Sequence, residues 1–271
     1  MVIAKKKFGQ NFLKDEHVVH RIIEAIPNND NHVVEIGPGL GDLTKHLVKY
    51  NKVTAYEVDT DLYEILQEQF ADQIKDENLS IVLGDVLEKW DHQNSLYDGK
   101  YDLIANLPYY IATNIILRAI EDTNCESILV MIQKEVAEKF AAEPMNKNYS
   151  SLAVIADLVS RETKVLFDVP PESFDPPPKV TSSILFIKKD MNKSLDDDFK
   201  NFLKACFSQP RKMLKKNLSS KYDKKVLSSI FEQLEIKETI RPHELDSSLY
   251  NLLYERVKIN GRDTSGNSRS S

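Results

Sequence analysis

Through the first half of the chain, short runs of β-branched and aliphatic residues alternate with stretches whose apolar positions recur at helical spacing. VVEIG (33–37) is a strand-length run ending in a glycine-rich turn. Residues 42–50 then place Leu43, Leu47 and Tyr50 on one helical face. Residues 52–59 read as the next strand and 62–70 as the helix after it. Strands are also expected at 79–85, 101–107 and 127–133, and a helix opened by Thr113 lies between the last two, at 113–121. Such alternation predicts right-handed βαβ units and a mostly parallel sheet with helices on both faces, an α/β fold.

Beyond residue 133 the rhythm changes. KEVAEKFAAE and SSLAVIADLV read as helices, and TKVLFDV and TSSILFIKK as strands. Between these strands lies VPPESFDPPPKV (169–180), whose five prolines exclude a regular helix or a central strand. From Asp196 onward the pattern is helical only, in DDFKNFLKACF, RKMLKKNLSS, KVLSSIFEQLE and SLYNLLYERV. The triple aspartate 196–198 reads as a helix start, its charges complementing the dipole. A sheet-containing domain over 1–187 and a small all-α domain over 188–262 are therefore expected. The tail 263–271 has almost nothing apolar and is expected to be disordered.

Composition narrows the function. With 41% hydrophobic and 29% charged residues, 271 residues can bury a core without disulfides or structural metal. Cys125 and Cys206 have no partner motif, and His17 and His20 lack a third ligand, so no metal is expected. No run approaches the ~20 apolar residues of a membrane span, and the first residues carry lysines without an apolar segment after them. A cytoplasmic protein with no membrane association is expected. The net charge of −6 speaks against a polyanionic partner until it is divided. Residues 1–187 hold 18 Lys and Arg against 30 Asp and Glu, whereas residues 188–262 hold 17 against 11. That asymmetry fits a polyanion-binding surface on the helical part, or a solvated helix face. Trp90 and Phe167 are assigned to core packing.

The turn Glu35-Ile-Gly37-Pro-Gly39-Leu-Gly41 opens the first helix after the first strand, where glycines let backbone approach a ligand. A dinucleotide fingerprint needs a small residue at position 42, and Asp42 there would repel a pyrophosphate. S-adenosylmethionine carries no phosphate and escapes the objection. Glu57, about 20 residues on, is placed to accept both ribose hydroxyls, and Asp85 to accept from an adenine amino group. Parallel strand ends line one crevice, which gathers these acids with Gly37 and Gly39.

Asn106-Leu107-Pro108-Tyr109 closes the fourth strand at the same edge. An exocyclic adenine amine is a poor nucleophile, because its lone pair is delocalised into the ring. It needs acceptors for its hydrogens, here the Asn106 side-chain oxygen and the Leu107 carbonyl. Pro108 would aim that carbonyl through its fixed φ, and Tyr109 would stack on a flipped base. Catalysis of this kind is mainly orientation.

NLPY is similar to the motif of N6-adenine methyltransferases acting on RNA. QNFL (10–13) and VPPESFDPPPKV resemble the bacterial KsgA family of rRNA adenine dimethyltransferases, over nearly the whole chain from Phe8 to about Arg256. The resemblance implies a Rossmann-like S-adenosylmethionine-dependent methyltransferase domain followed by an RNA-binding helical one. It implies cofactor contacts from Asn11, Leu13, Gly37, Glu57, Asp85 and Asn106, with Phe174 stacking on the base opposite Tyr109. It further implies dimethylation of two neighbouring adenines near the 3′ end of 16S rRNA in the 30S subunit; separately from the resemblance, a monomer is expected. SQPRKMLKKNL (208–218) resembles a basic segment of the family, though Pro210 departs from it. Lys5, Lys6 and Lys7, with Arg211, Lys212, Lys215 and Lys216 on one side of a helix, are the expected phosphate contacts. Two rivals share this fold: a 23S rRNA methyltransferase of the antibiotic-resistance type, and a non-catalytic RNA-binding assembly factor. A nicotinamide-dependent dehydrogenase is the remaining alternative.

Overall fold

The computed structural model describes residue 5 and residues 8–266, the last six as backbone only. Seven strands form one sheet in the order β4-β3-β2-β5-β6-β9-β7. They are β2 (His32–Ile36), β3 (Val53–Glu57), β4 (Leu79–Leu83), β5 (Tyr101–Asn106), β6 (Cys125–Gln133), β7 (Ser160–Val169) and β9 (Ser182–Lys189). The first five pair in parallel, and β9 pairs antiparallel with both β6 and β7. All seven coincide with runs that were expected to be strands. A second, two-stranded sheet joins β1 (Phe12–Leu13) to β8 (Phe174–Asp175). β8 is held inside the proline-rich stretch, after a 3₁₀ turn at Pro171–Ser173.

Helices α1 (Glu16–Glu24), α2 (Thr44–Leu47), α3 (Thr60–Gln69), α4 (Ala71–Lys75), α5 (Val86–His92) and α6 (Ala112–Glu121) fill the connections. The apolar sides of α1 to α4 close on buried strand residues such as Val33, Val53, Ala55, Ile104 and Leu129. Three details depart from expectation. The helix after the glycine turn is a single turn, α2, because Gly39 and Gly41 hold positive φ just ahead of it. Thr113 lies inside α6 rather than capping it; Ile111 occupies the cap without a side-chain bond. Helix α5 was not anticipated, although Asp85 caps it through a hydrogen bond from the Leu87 N–H at 2.8 Å.

The chain resolves into two compact units. One joins the residues up to Ala137 with Ser160–Asn192, and the other joins Glu138–Val159 with Lys193 onward. The expected boundary after residue 187 therefore needs correction: the helical unit is built from two separate segments. The cause lies in α8 (Ser151–Val159), which buries Ala153, Val154, Ile155, Ala156 and Val159 and packs against α9 (Asp197–Cys206) and α12 (Ser247–Gly266). Helices α7 (Lys134–Phe140), α10 (Leu214–Leu218) and α11 (Lys224–Gln233) complete the set. Asp196 does cap α9, accepting from the Phe199 N–H at 2.7 Å. The backbone of 263–266 continues α12, so that part of the expected disordered tail is helical; 267–271 lie outside the described residues. Among the described residues no helix is long and apolar enough to cross a membrane, and no group of three or more His, Cys, Asp or Glu is placed to hold a metal ion.

Candidate active site

Strand β2 neighbours β3 on one side and β5 on the other, so the connections leaving these strands diverge and open a crevice at their carboxyl ends. That crevice is an open cleft lined by the glycine turn, Glu57, Asp85, Asn106 to Tyr109, and the segment 8–13. It thus brings together all the expected cofactor residues and four of the five expected catalytic ones.

The glycine turn forms one wall. Gly37 has φ +69°, a conformation side chains avoid, and a Cβ added there would meet nothing within 4 Å. The space beside it is therefore open, as a ligand lying along the backbone requires. Gly39 has φ +62°, and its Cβ would lie 3.1 Å from the Phe12 ring, so the segment 8–13 rests directly on this turn.

Two buried carboxylates stand behind the turn. Glu57 ends β3 and is 4% exposed. Burial pushes its carboxyl above the usual range, against the N–H groups of Asp59, Gly39 and Val58, which hold it down. Glu35, the acid that opens the turn motif, is 1% exposed, and its sequence context carries no role for it. Burial, only partly offset by a hydrogen bond from Thr44 at 2.7 Å, raises it to about 8, with Glu57 adding to the shift. A charged residue inside the apolar run VVEI was the available signal for it. Asp85 is exposed at the cleft, one oxygen bound to the α5 cap. The set offers acceptors, and the hydroxyl, amino and ammonium groups of S-adenosylmethionine are donors; the residues fit that cofactor.

At the other wall, the Asn106 side-chain nitrogen donates to the Asn11 carbonyl at 3.1 Å. The amide is thereby oriented with its nitrogen committed and its oxygen available. Leu107 extends the β5–β6 ladder by donating to the Met131 carbonyl at 3.1 Å, and Pro108 accepts from the Ile111 N–H, turning the chain at once. Tyr109 is half-buried, its hydroxyl bound to the Ser182 hydroxyl at 2.7 Å, which pins the ring at the cleft. Burial raises the Tyr109 phenol above its ordinary value. Ser182 and the neighbouring Tyr110, 61% exposed on the cleft, were not singled out from the sequence.

Other expected residues are placed differently. Phe174 was expected opposite Tyr109, but it is 5% exposed, packs in the core and does not line the cleft. Its pairing with Leu13 in the β1–β8 ladder accounts for this. Lys5 was expected to meet phosphates; its ammonium instead bonds Asp59 at 2.5 Å and Asp61 at 2.7 Å. Lys6 and Lys7 lie outside the described residues. Lys215 bonds Glu238 and Ser228. Arg211 and Lys212 precede α10 rather than lying on it, because the helix starts only at Leu214; both are exposed, as is Lys216.

A family model described as "Ribosomal RNA adenine dimethylase" matches residues 1–258. The chain is 63% identical over 262 residues to a ribosomal RNA small subunit methyltransferase A of Aliarcobacter butzleri, covering 97% of this chain and 98% of that one. It is 54% identical over 257 residues to the protein of the same name from Sulfurimonas denitrificans, covering 95% of each. Among solved structures, a dimethyladenosine transferase from Plasmodium falciparum superposes with a TM-score of 0.78 at 24% identity, covering 92% of this chain and 98% of that one. The 23S rRNA methyltransferase ErmE superposes with 0.71 at 23% identity, covering 92% and 100%. These two likenesses bear on the fold alone; the sequence matches bear on descent, and by them the chain belongs to the ribosomal RNA adenine dimethylase family.

Proposed function

We propose that this protein transfers methyl groups from S-adenosylmethionine to N6 of two adjacent adenines near the 3′ end of 16S rRNA in the 30S subunit, giving N6,N6-dimethyladenosine. The observation that carries the reading is the junction of Asn106-Leu107-Pro108-Tyr109 with the glycine turn and Glu57 in one cleft. The names of the relatives, small subunit methyltransferases, support the choice of substrate particle. The protein would act in the cytoplasm, as a monomer on its RNA.

When bound, the cofactor supplies an electrophilic methyl group on a sulfonium. Glu57 would hold the ribose hydroxyls and Asp85 the adenine amine. Gly37 and Gly39 let the backbone pass close beside the ligand, with Asn11 and Leu13 closing the opposite wall. The target adenine enters as a flipped base against Tyr109, whose ring Ser182 keeps in place. Its amine is held by the Asn106 oxygen and the Leu107 carbonyl, so that the nitrogen lone pair faces the methyl group. Rate enhancement then comes from orientation, with Pro108 fixing the turn. Arg211, Lys212 and Lys216, exposed in the helical unit, are assigned to RNA phosphates.

The test is transfer of labelled methyl from S-adenosylmethionine to unmethylated 30S and 50S particles, followed by nucleoside analysis. Dimethyladenosine at two adjacent 16S positions is the expected product. Label in 50S alone would assign the enzyme to the large subunit. Asn106→Ala should lower transfer at least about 100-fold while leaving 30S binding intact; retained turnover would remove Asn106 from its role.

A further inference from the structure

The segment 8–13 forms a wall of the cleft, and its attachment converges on Asp59. Asp59 lies two residues past Glu57 and is 2% exposed. One carboxylate oxygen receives the Lys5 ammonium at 2.5 Å and the Asp61 N–H at 3.2 Å, capping α3. The other receives the Gln10 side-chain nitrogen at 2.9 Å. The Gln10 oxygen in turn accepts the Lys5 backbone N–H at 2.7 Å, closing a ring of hydrogen bonds. From its main chain, Asp59 donates to Glu57 Oε1 at 2.8 Å. Lys5 is held charged and Asp59 ionised: burial opposes the carboxylate, but the Lys5 and Gln10 bonds outweigh it.

We propose that Asp59 is a positioning residue for cofactor binding. Its carboxylate fastens Lys5 and Gln10, and so the segment 8–13, across the cleft, while its N–H fixes the carboxylate of Glu57. Further ties hold the same segment, among them the Asn106 bond to the Asn11 carbonyl, the β1–β8 ladder, the Asn11 side-chain nitrogen on the Gly9 carbonyl at 3.2 Å and the Phe12 ring against Gly39. The Asn106 bond and the ladder act on residues 11–13, whereas Asp59 is the group that reaches Gln10 and, through Lys5, the chain ahead of it. A wall already in place when the cofactor arrives needs no ordering during binding; a released wall must be ordered each time, and affinity falls by the fraction of molecules that hold it closed. Lys5 therefore serves the cofactor rather than the RNA.

This proposal rests on the reading of the cleft as the S-adenosylmethionine site, and the experiment separates the two. S-adenosylmethionine affinity is measured by calorimetry on the full-length protein and on Lys5→Met, Lys5→Arg and Asp59→Asn. Thermolysin cleavage near Phe8 and Phe12 is followed on the same proteins without cofactor. Lys5→Met and Asp59→Asn should each raise Kd about tenfold and speed cleavage, with Lys5→Arg near wild type. In turnover the change should fall on KM for S-adenosylmethionine, with kcat and the KM for 30S particles retained. Should Asp59→Asn fail to fold, Lys5→Met alone decides, because Lys5 is partly exposed. Unaltered Kd and cleavage in Lys5→Met would overturn the proposal, as would an effect confined to the 30S KM. Failure of the wild-type protein to bind S-adenosylmethionine would instead overturn the reading of the cleft itself.

Discussion

At the amino ends of β5 and β6, Asp122 accepts hydrogen bonds from the Trp90 indole, the Tyr101 hydroxyl and the N–H groups of Leu96 and Asn124. At the carboxyl ends of β2 and β3, the equally buried Glu35 has the Thr44 hydroxyl as its side-chain donor, and its pKa rises to about 8. Elsewhere at the amino edge the pattern of Asp122 repeats. Asp102 is bound by Ser127 and Asn31, and the buried Lys189 ammonium donates to the carbonyls of Ala119 and Asp122. One sheet thus buries carboxylates at both edges: Asp122 at one has four donors, whereas Glu35 at the other has a single side-chain donor. A saturated carboxylate is a structural device, whereas an undersupplied one is an invitation to a ligand that brings donors.

The contrast breaks most visibly at Asp122. Asp122→Ala leaves the Trp90 and Tyr101 donors buried without an acceptor, and should cost about 4 kcal/mol of stability in urea unfolding. The folded protein should still bind S-adenosylmethionine normally; a cost under about 1 kcal/mol would mean the network is not structural. At the opposite edge, Glu57→Gln should weaken the ligand and spare the fold. Calorimetry should show S-adenosylmethionine affinity falling on the order of 30-fold, with stability within about 1 kcal/mol of wild type. An unaltered affinity would remove Glu57 from the ribose site.

The smallest effect concerns Glu35 and is read through pH. Its folded pKa of about 8 lies above the ordinary 4.5. Below 4.5 the proton is held in both states, and the contribution of Glu35 to stability is intact. As pH rises toward 8 the unfolded chain releases that proton while the native protein keeps it, so the contribution is progressively lost. Glu35→Gln cannot titrate. Melting temperatures should therefore shift in favour of the variant, by a few degrees, between about pH 5 and about pH 8.5. A constant gap over that range would place Glu35 in a wetter site than its burial implies.

What was legible in advance follows the reach of each signal. The seven strands of the main sheet are local runs of β-branched and aliphatic residues. The glycine turn and Asn106-Leu107-Pro108-Tyr109 are contiguous, so their place at strand ends could be read directly. Phe174 could not be read this way, because its burial depends on pairing with Leu13 from the other end of the domain. Lys5 and Lys215 look alike on paper; only the folded chain supplies Asp59 and Glu238 as their partners. The division of the helical unit into two segments was equally hidden, since the apolar pattern of α8 says that it is covered but not by what.

That division also imposes a timetable on synthesis. The ribosome delivers α8 before any of α9 to α12, and the strands β7 and β9 come between them. Until α9 and α12 emerge, the apolar side of α8 has none of its final partners from the later segment, while the residues up to Asn192 that form the sheet-containing unit are already complete. The nascent chain therefore carries a finished catalytic scaffold and an unfinished helical unit at the same moment, and the exposed α8 is where a chaperone scanning for apolar helices would find it.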